Sequence, residues 1–186
     1  SFGIFASWAG VKFGMPQLPK IASMSARFAA WVSKLPAFLS PELLARMSTR
    51  RPWVVVGLWV VLADHNLDWL LVTHLPNVRY LSGFTGSAGA MLIGDRGATF
   101  FTDGRYRTQA RDEVREARIV IAGKSPALAA AEFLAASRIR SLTRVGIEAQ
   151  SVTVTQRDHL ARILKGKWKL VAAPPLVEQA RQVKDK

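Results

Sequence analysis

The sequence predicts an α/β domain with a mixed β-sheet flanked by helices, preceded by a poorly defined N-terminal extension. Short apolar runs alternate with helical patterns between residues 67 and 176, as in α/β sheets. Two of these runs are joined by Gly94-Asp95-Arg96-Gly97, a hairpin signal that adds an antiparallel pair. Of the 186 residues, 49% are apolar, which suffices for one core but leaves no room for two large domains.

The first part of this body contains a strand, a turn, a loop and the hairpin. Residues 68–73 form a short apolar run that indicates a buried strand. Pro76-Asn77 predicts a turn, and residues 80–89 a loop with three glycines. Residues 90–93 and 98–102 are the two hairpin strands, because the glycines between them can adopt positive φ.

The second part alternates helices and strands. The predicted elements are a helix over 106–116, a strand over 118–121, a helix from Ser125-Pro126 to Ala136, a strand over 144–147, a helix over 155–165 capped by Gly166, a strand over 168–171 and a helix from Leu176. Arg107, Arg111 and Arg115 are spaced by four, so they are expected on one solvated helix face.

Residues 1–50 differ from the rest because Glu42 is their one acidic residue. An amphipathic helical pattern over residues 24–35 is typical of an organelle presequence. The favoured explanation is instead an unstructured extension, or upstream sequence translated by mistake. The apolar residues 53–62 fit a strand, a buried helix or a signal-peptide core. The uncharged run over residues 52–63, about a dozen residues, is too short to span a membrane.

Composition excludes several kinds of site. The chain has no cysteine, which rules out disulfide scaffolds, thiolate metal sites and cysteine nucleophiles. Its three histidines lie far apart and show no metal-ligand spacing. The net charge of +13 raises the expectation of an anionic partner. A nucleic-acid partner is nevertheless not favoured, because Trp168 is the one aromatic residue interleaved with Lys165, Lys167 and Lys169.

Two motifs carry a resemblance to a known family. Residues 77–89 read Asn-Val-Arg-Tyr-Leu-Ser-Gly-Phe-Thr-Gly-Ser-Ala-Gly, and residues 101–106 read Phe-Thr-Asp-Gly-Arg-Tyr. In this order, and separated by a hairpin, they closely resemble the creatinase/aminopeptidase P family, within it the amino-terminal domain of Xaa-Pro aminopeptidases. The similarity runs from about Leu67 to the end, where residues 174–178 and 181–184 resemble the connection to a catalytic domain.

The resemblance implies a division into an extension (1–50), a ribonuclease-H-like amino-terminal domain (51–175) and the start of that connection (176–186). In the family this domain supports oligomerisation and borders the substrate cleft. The catalytic domain binds two divalent metal ions, usually manganese, through two Asp, one His and two Glu. The chain ends where that domain would begin, so we expect the fragment alone to be inactive and its parent to be a metallopeptidase.

The resemblance also directs attention to the residues of the two motifs. Four are predicted to contact substrate, because they offer apolar area, a planar cation and a phenol: Arg105, Tyr106, Phe84 and Tyr80. Five are predicted to shape the motif backbone: Asp103, Gly104, Gly83, Gly86 and Gly89. The alternative is structural throughout, with Asp103 capping the helix after it and both Phe84 and Tyr80 in the core.

The implied partners are the protein's own catalytic domain, further copies of the chain, and a peptide with proline in second position. The implied location is the cytoplasm, or a mitochondrion if residues 1–50 are a presequence. Two other functions stay open: the same domain of a prolidase or creatinase-like hydrolase, and a stand-alone binding module.

Overall fold

The structure is a computed structural model that describes residues 62, 64–94, 97–115, 117–137 and 142–182. The predicted extension at 1–50, with its amphipathic helix at 24–35, lies outside the described residues. The apolar segment 53–62 does too, apart from Leu62. In the described part of the chain, no helix is long and apolar enough to cross a membrane.

The described residues form a mixed six-stranded sheet, which confirms the predicted fold class. Its strands are β1 (Trp69–Val72), β2 (Gly89–Gly94), β3 (Gly97–Asp103), β4 (Ala117–Ala122), β5 (Thr143–Glu148) and β6 (Trp168–Ala173). Their order across the sheet is β4-β3-β2-β1-β5-β6. Strand β2 is antiparallel to both neighbours, and all other neighbouring pairs are parallel. Five strands therefore end at one edge of the sheet.

Helices cover both faces of the sheet. They are α1 (Leu75–Ser82), α2 (Arg107–Glu113), α3 (Pro126–Ala135), α4 (Val154–Ile163) and α5 (Leu176–Gln182), with a 3-10 helix at Gly104–Tyr106. Helices α1, α2 and α5 contribute Val78, Ala110 and Val177 to the core on one face. Helices α3 and α4 contribute Leu134 and Leu160 to the core on the other. This two-sided burial explains why most strands read as continuous apolar runs.

Helix α1 corrects the prediction for residues 76–89. We predicted a turn at Pro76-Asn77, but these residues lie in the first turn of α1. Proline is compatible with that position, because the first N–H groups of a helix have no partner within the helix. The helix extends to Ser82, and Gly83 ends it with a φ of +81°. The predicted loop therefore begins three residues later than expected.

The predicted hairpin is confirmed. Strands β2 and β3 pair from Gly89 opposite Thr102 to Gly94 opposite Gly97. Gly97 has a φ of +110°, a conformation that favours glycine. Gly94 serves a different purpose, because a Cβ there would overlap the ring of Trp69 on the neighbouring strand.

The remaining elements lie where the sequence placed them, with shifted ends. Helix α2 begins at Arg107 and ends at Glu113, so Arg115 lies beyond it and off the predicted arginine face. Helix α4 ends at Ile163, before the predicted Lys165, and Gly166 occupies the following turn with a φ of +72°. The side chain of Ser125 precedes α3 as predicted but forms no capping hydrogen bond.

Candidate functional site

The edge at which five strands end carries two groups of polar residues. Such edges are where ligands bind in open α/β sheets. We call Asp103, Arg105, Tyr106 and Ser87 the Asp103 turn, and Asn77, Glu148, Glu178 and Arg181 the Asn77 cluster. Asp103 ends β3 and Glu148 ends β5, so both groups arise where strands leave the sheet.

Asp103 and Arg105 form a local ion pair at the end of β3. The Asp103 carboxylate caps the 3-10 helix by accepting the backbone N–H of Arg105 at 2.9 Å. It also accepts Nε at 3.1 Å and Nη2 at 2.7 Å from the Arg105 guanidinium. The hydrogen bond from Arg105 holds the pKa of Asp103 below its ordinary value. Asp103 therefore caps the helical turn that follows it, which is the structural alternative for this residue.

The Arg105 side chain is 75% exposed although it is paired. Its carboxylate partner uses Nε and Nη2, which leaves Nη1 for another acceptor. The guanidinium carbon also lies 5.5 Å from the centre of the Tyr106 ring. The turn therefore presents an oriented cation to solvent.

Tyr106 connects this turn to the glycine-rich loop. Its phenol oxygen lies 2.7 Å from Oγ of Ser87, within hydrogen-bond distance. The hydrogen bond from Ser87 lowers the pKa of Tyr106 from its ordinary value. Ser87 was part of the motif but was not predicted as a site residue, because its partner lies 19 positions away.

Phe84 anchors the same loop from below. It is 1% exposed, and its ring centre lies 4.8 Å from that of Phe100 and 5.5 Å from that of Tyr106. The geometry fits the alternative that Phe84 is a core residue, and Phe84 offers little apolar area to a substrate here. The same packing requires glycine at position 86, because a Cβ there would overlap the rings of Phe84 and Tyr106.

Glu113 fixes the other side of the loop. Its carboxylate accepts the Thr85 N–H at 2.7 Å and the Thr85 hydroxyl at 2.8 Å. Gln109 donates to both residues, at 2.9 Å to Thr85 and at 3.0 Å to Glu113. The backbone hydrogen bond from Thr85 is the main reason why the pKa of Glu113 lies below its ordinary value. The loop is consequently held at Phe84, Thr85 and Ser87.

Glu148 is the centre of the Asn77 cluster and was not predicted. It is 7% exposed. Its Oε2 accepts the backbone N–H groups of Thr73 at 2.6 Å and His74 at 2.7 Å. Thr73 and His74 directly precede α1, and His74 forms no side-chain capping bond. The carboxylate of Glu148, at the end of β5, therefore serves as the cap before this helix. Its Oε1 accepts Nδ2 of Asn77 at 2.6 Å.

Asn77 joins Glu148 to helix α5. It is 0% exposed. Its Nδ2 donates to Oε1 of Glu178 at 2.7 Å, in addition to Glu148. Its Oδ1 accepts Nη1 of Arg181 at 2.8 Å. Tyr80, three residues further along α1, donates its hydroxyl to the carbonyl oxygen of Ala180 at 3.1 Å.

The structure thus separates the four predicted substrate contacts. Arg105 and Tyr106 lie together in the exposed Asp103 turn, Phe84 lies beneath them, and Tyr80 faces α5. The five predicted motif residues are placed as follows: Asp103 and Gly104 at the 3-10 helix, Gly83 at the end of α1, Gly86 against two rings, and Gly89 at the start of β2.

The Asp103 turn and the Asn77 cluster have side chains that can bind a ligand or position a neighbouring element. Across the described ranges, no group of three or more His, Asp or Glu side chains could hold a metal ion. The resemblance assigns the two divalent metal ions to the catalytic domain and not to these residues. The Asp103 carboxylate is engaged by Arg105, so the turn offers a cation and a phenol rather than a free base.

Comparisons with known proteins agree with this fold. The sequence model of the Creatinase/Prolidase N-terminal domain matches residues 58–183. The N-terminal domain of the cytoplasmic peptidase PepQ from Mycobacterium tuberculosis H37Rv is 38% identical, with a TM-score of 0.58 over 68% of this chain and 96% of its own. An Xaa-Pro aminopeptidase structure from Streptococcus pyogenes is 31% identical, with a TM-score of 0.59 over 68% and 93% of the two chains.

A curated relative is longer than this chain. The uncharacterized peptidase YqhT from Bacillus subtilis is 34% identical over 118 residues, which are 63% of this chain and 32% of YqhT. This chain thus spans about a third of that relative's length. Because the family match covers most of the chain and includes both motifs, the chain belongs to the Creatinase/Prolidase N-terminal domain family.

Proposed function

We propose that this chain is the amino-terminal, non-catalytic domain of a metal-dependent Xaa-Pro aminopeptidase, and that its Asp103 turn forms part of the substrate cleft. Family membership and the Asp-Gly-Arg-Tyr motif support the parent enzyme. The observation that carries the cleft role is the exposed Arg105 guanidinium, oriented by Asp103 at the edge of the sheet where open α/β folds generally bind ligands.

The proposed role of Arg105 is to bind a peptide carbonyl or carboxylate. A guanidinium held through Nε and Nη2 has a fixed plane, so less side-chain freedom is lost when Nη1 meets an acceptor. The Tyr106 phenol, held beside it by Ser87, adds a second polar contact. Neither residue breaks a bond. They orient the substrate for a reaction carried out elsewhere.

The chemistry is assigned to a catalytic domain beyond this chain. In this proposal, two divalent metal ions, taken to be manganese, are held there by two Asp, one His and two Glu, and they supply the Lewis acidity for peptide hydrolysis. The domain described here would pack on that catalytic domain and on further copies of the chain. We place the protein in the cytoplasm, because the Mycobacterium tuberculosis relative is a cytoplasmic peptidase.

A prolidase is the second candidate, because the matching family includes prolidases by its description. Substrate length separates the two activities. In a version of the protein that includes its catalytic domain, an aminopeptidase hydrolyses an Xaa-Pro-Xaa tripeptide, whereas a prolidase acts on an Xaa-Pro dipeptide. Hydrolysis of the dipeptide alone would favour the prolidase, and hydrolysis of neither would favour a creatinase-like hydrolase.

The cleft role is tested by Arg105→Ala in the same catalytically complete protein. We expect kcat/KM for an Xaa-Pro peptide to fall about tenfold, because one charge-assisted hydrogen bond is lost. The melting temperature should change by no more than about 2 °C, since exposed ion pairs add little stability. Arg107→Ala removes an exposed arginine of α2 and is the matched control. Equal kcat/KM in both variants would leave Arg105 with a purely structural role.

A further inference from the structure

Asn77 and Tyr80 lie on one face of α1, because residues three apart on a helix are neighbours. Both reach α5: Asn77 bonds to Glu178 and Arg181, and Tyr80 bonds to the carbonyl of Ala180. We call these three hydrogen bonds the α1–α5 tether. They join residues about a hundred positions apart in the sequence.

The two ends of α5 are held differently. Leu176 and Val177, in its first turn, are 6% and 2% exposed and belong to the core. Glu178, Ala180 and Arg181 follow, and the tether binds all three. Apolar burial thus fixes where α5 begins, whereas polar contacts fix the direction in which it continues.

We propose that Asn77 and Tyr80 are positioning residues that set the direction of α5 and, through it, the placement of the catalytic domain to which the chain leads in the proposed function. The inference rests on the proposed function, in which that chain leads into a catalytic domain. Asn77 begins the first motif and Arg181 lies in the segment that resembles the connection, and the two residues are the two sides of one contact.

Glu148 makes this contact rigid. Asn77 has two amide hydrogens, and both are used, one by Glu148 and one by Glu178. Its oxygen accepts from Arg181, so the amide group cannot rotate without exchanging a donor for an acceptor at three bonds. Glu148 also caps α1. Hydrogen bonds therefore connect α5, through Asn77 and Glu148, to the end of β5.

The first test uses the chain itself and hydrogen exchange followed by mass spectrometry. The double variant Glu178→Ala/Arg181→Ala removes the bonds from α5 to Asn77 and leaves the Glu148 cap intact. We expect peptides of α5 to exchange about tenfold faster or more, while sheet peptides are unchanged. The control Gln179→Ala/Gln182→Ala alters exposed residues of the same helix. Equal exchange of α5 in both variants would overturn the tether.

The second test measures Xaa-Pro peptide hydrolysis in a version of the protein that includes the catalytic domain. A positioning role predicts that Glu178→Ala/Arg181→Ala lowers kcat several-fold with little change in KM or melting temperature. If the unaltered protein is active and the variant equally so, the positioning role is wrong although the proposed function stands. If the unaltered protein hydrolyses no such peptide, the proposed function fails, and the exchange experiment alone decides the tether.

Discussion

Glu148→Gln tests whether the buried carboxylate organises this edge of the sheet. The substitution keeps the size of the side chain and replaces one oxygen by an NH2 group. Glu148 receives two backbone N–H groups on Oε2 and one amide hydrogen of Asn77 on Oε1. If the remaining side-chain oxygen of the introduced glutamine faces the backbone N–H groups, its NH2 group faces the NH2 group of Asn77. In the other orientation, the new NH2 meets two backbone N–H groups.

The neighbouring side chains cannot rearrange to accept the introduced NH2 group without losing another hydrogen bond. Asn77 cannot turn its oxygen towards the new NH2 group, because Arg181 already donates to that oxygen at 2.8 Å. At least one buried donor is left without an acceptor, and the bonds that remain lose their charge. Together these effects should reduce the free energy of unfolding by about 2–3 kcal/mol. For a chain of this size, that corresponds to a melting temperature lower by roughly 4–12 °C.

Urea unfolding and calorimetry measure this loss. The matched control is Glu132→Gln, the same substitution at a half-exposed residue of α3 whose carboxylate pairs with Lys124 at 2.6 Å. The control should lose less than about 0.5 kcal/mol, because exposed ion pairs contribute little. If Glu148→Gln loses no more than Glu132→Gln, Glu148 does not organise α1, and the reasoning from its three hydrogen-bond donors is wrong.

Two further predictions concern the loop beside the Asp103 turn. Ser87→Ala removes the hydrogen bond that lowers the pKa of Tyr106, so that pKa should rise towards its ordinary value of 10.0 in an alkaline ultraviolet titration; an unchanged pKa would contradict the contact. Glu113 has a pKa lowered from 4.5 when folded, so its contribution to stability is present above 4.5 and is lost as pH falls through the folded value. Glu113→Gln should remove that part of the pH dependence of unfolding, and an unaltered profile would show that the bonds to Thr85 contribute nothing.

Local signals were sufficient for most of the fold. The hairpin follows from two closely spaced glycines, and the alternation of strands and helices follows from apolar periodicity. Helix α1 was missed because Pro76-Asn77 is also a common turn signal. The start of this helix is held by Glu148, more than 70 positions away, which accepts the N–H groups of Thr73 and His74 directly before it. A contact of that kind is set by strand order and has no local signature.

The candidate site shows the same division. Asp103 and Arg105 are two residues apart, so their pairing could be anticipated from the turn that contains them. Asn77 and Arg181 are 104 residues apart. The sequence indicated both as parts of motifs, but their contact depends on the strand order β1-β5-β6, because α1 follows β1 and α5 follows β6. The sequence therefore indicated both residues but not the hydrogen bond between them.

The first motif functions as one continuous physical unit. It begins at Asn77, which binds α5, and proceeds along α1 to Gly83, whose positive φ turns the chain back over the sheet. Phe84 then fills the core beneath the loop, and Ser87 reaches Tyr106 in the Asp103 turn. A displacement of α1 would therefore move both α5 and the loop that supports the Asp103 turn. The proposed substrate contact and the proposed positioning of the following chain consequently share one rigid element, which is α1.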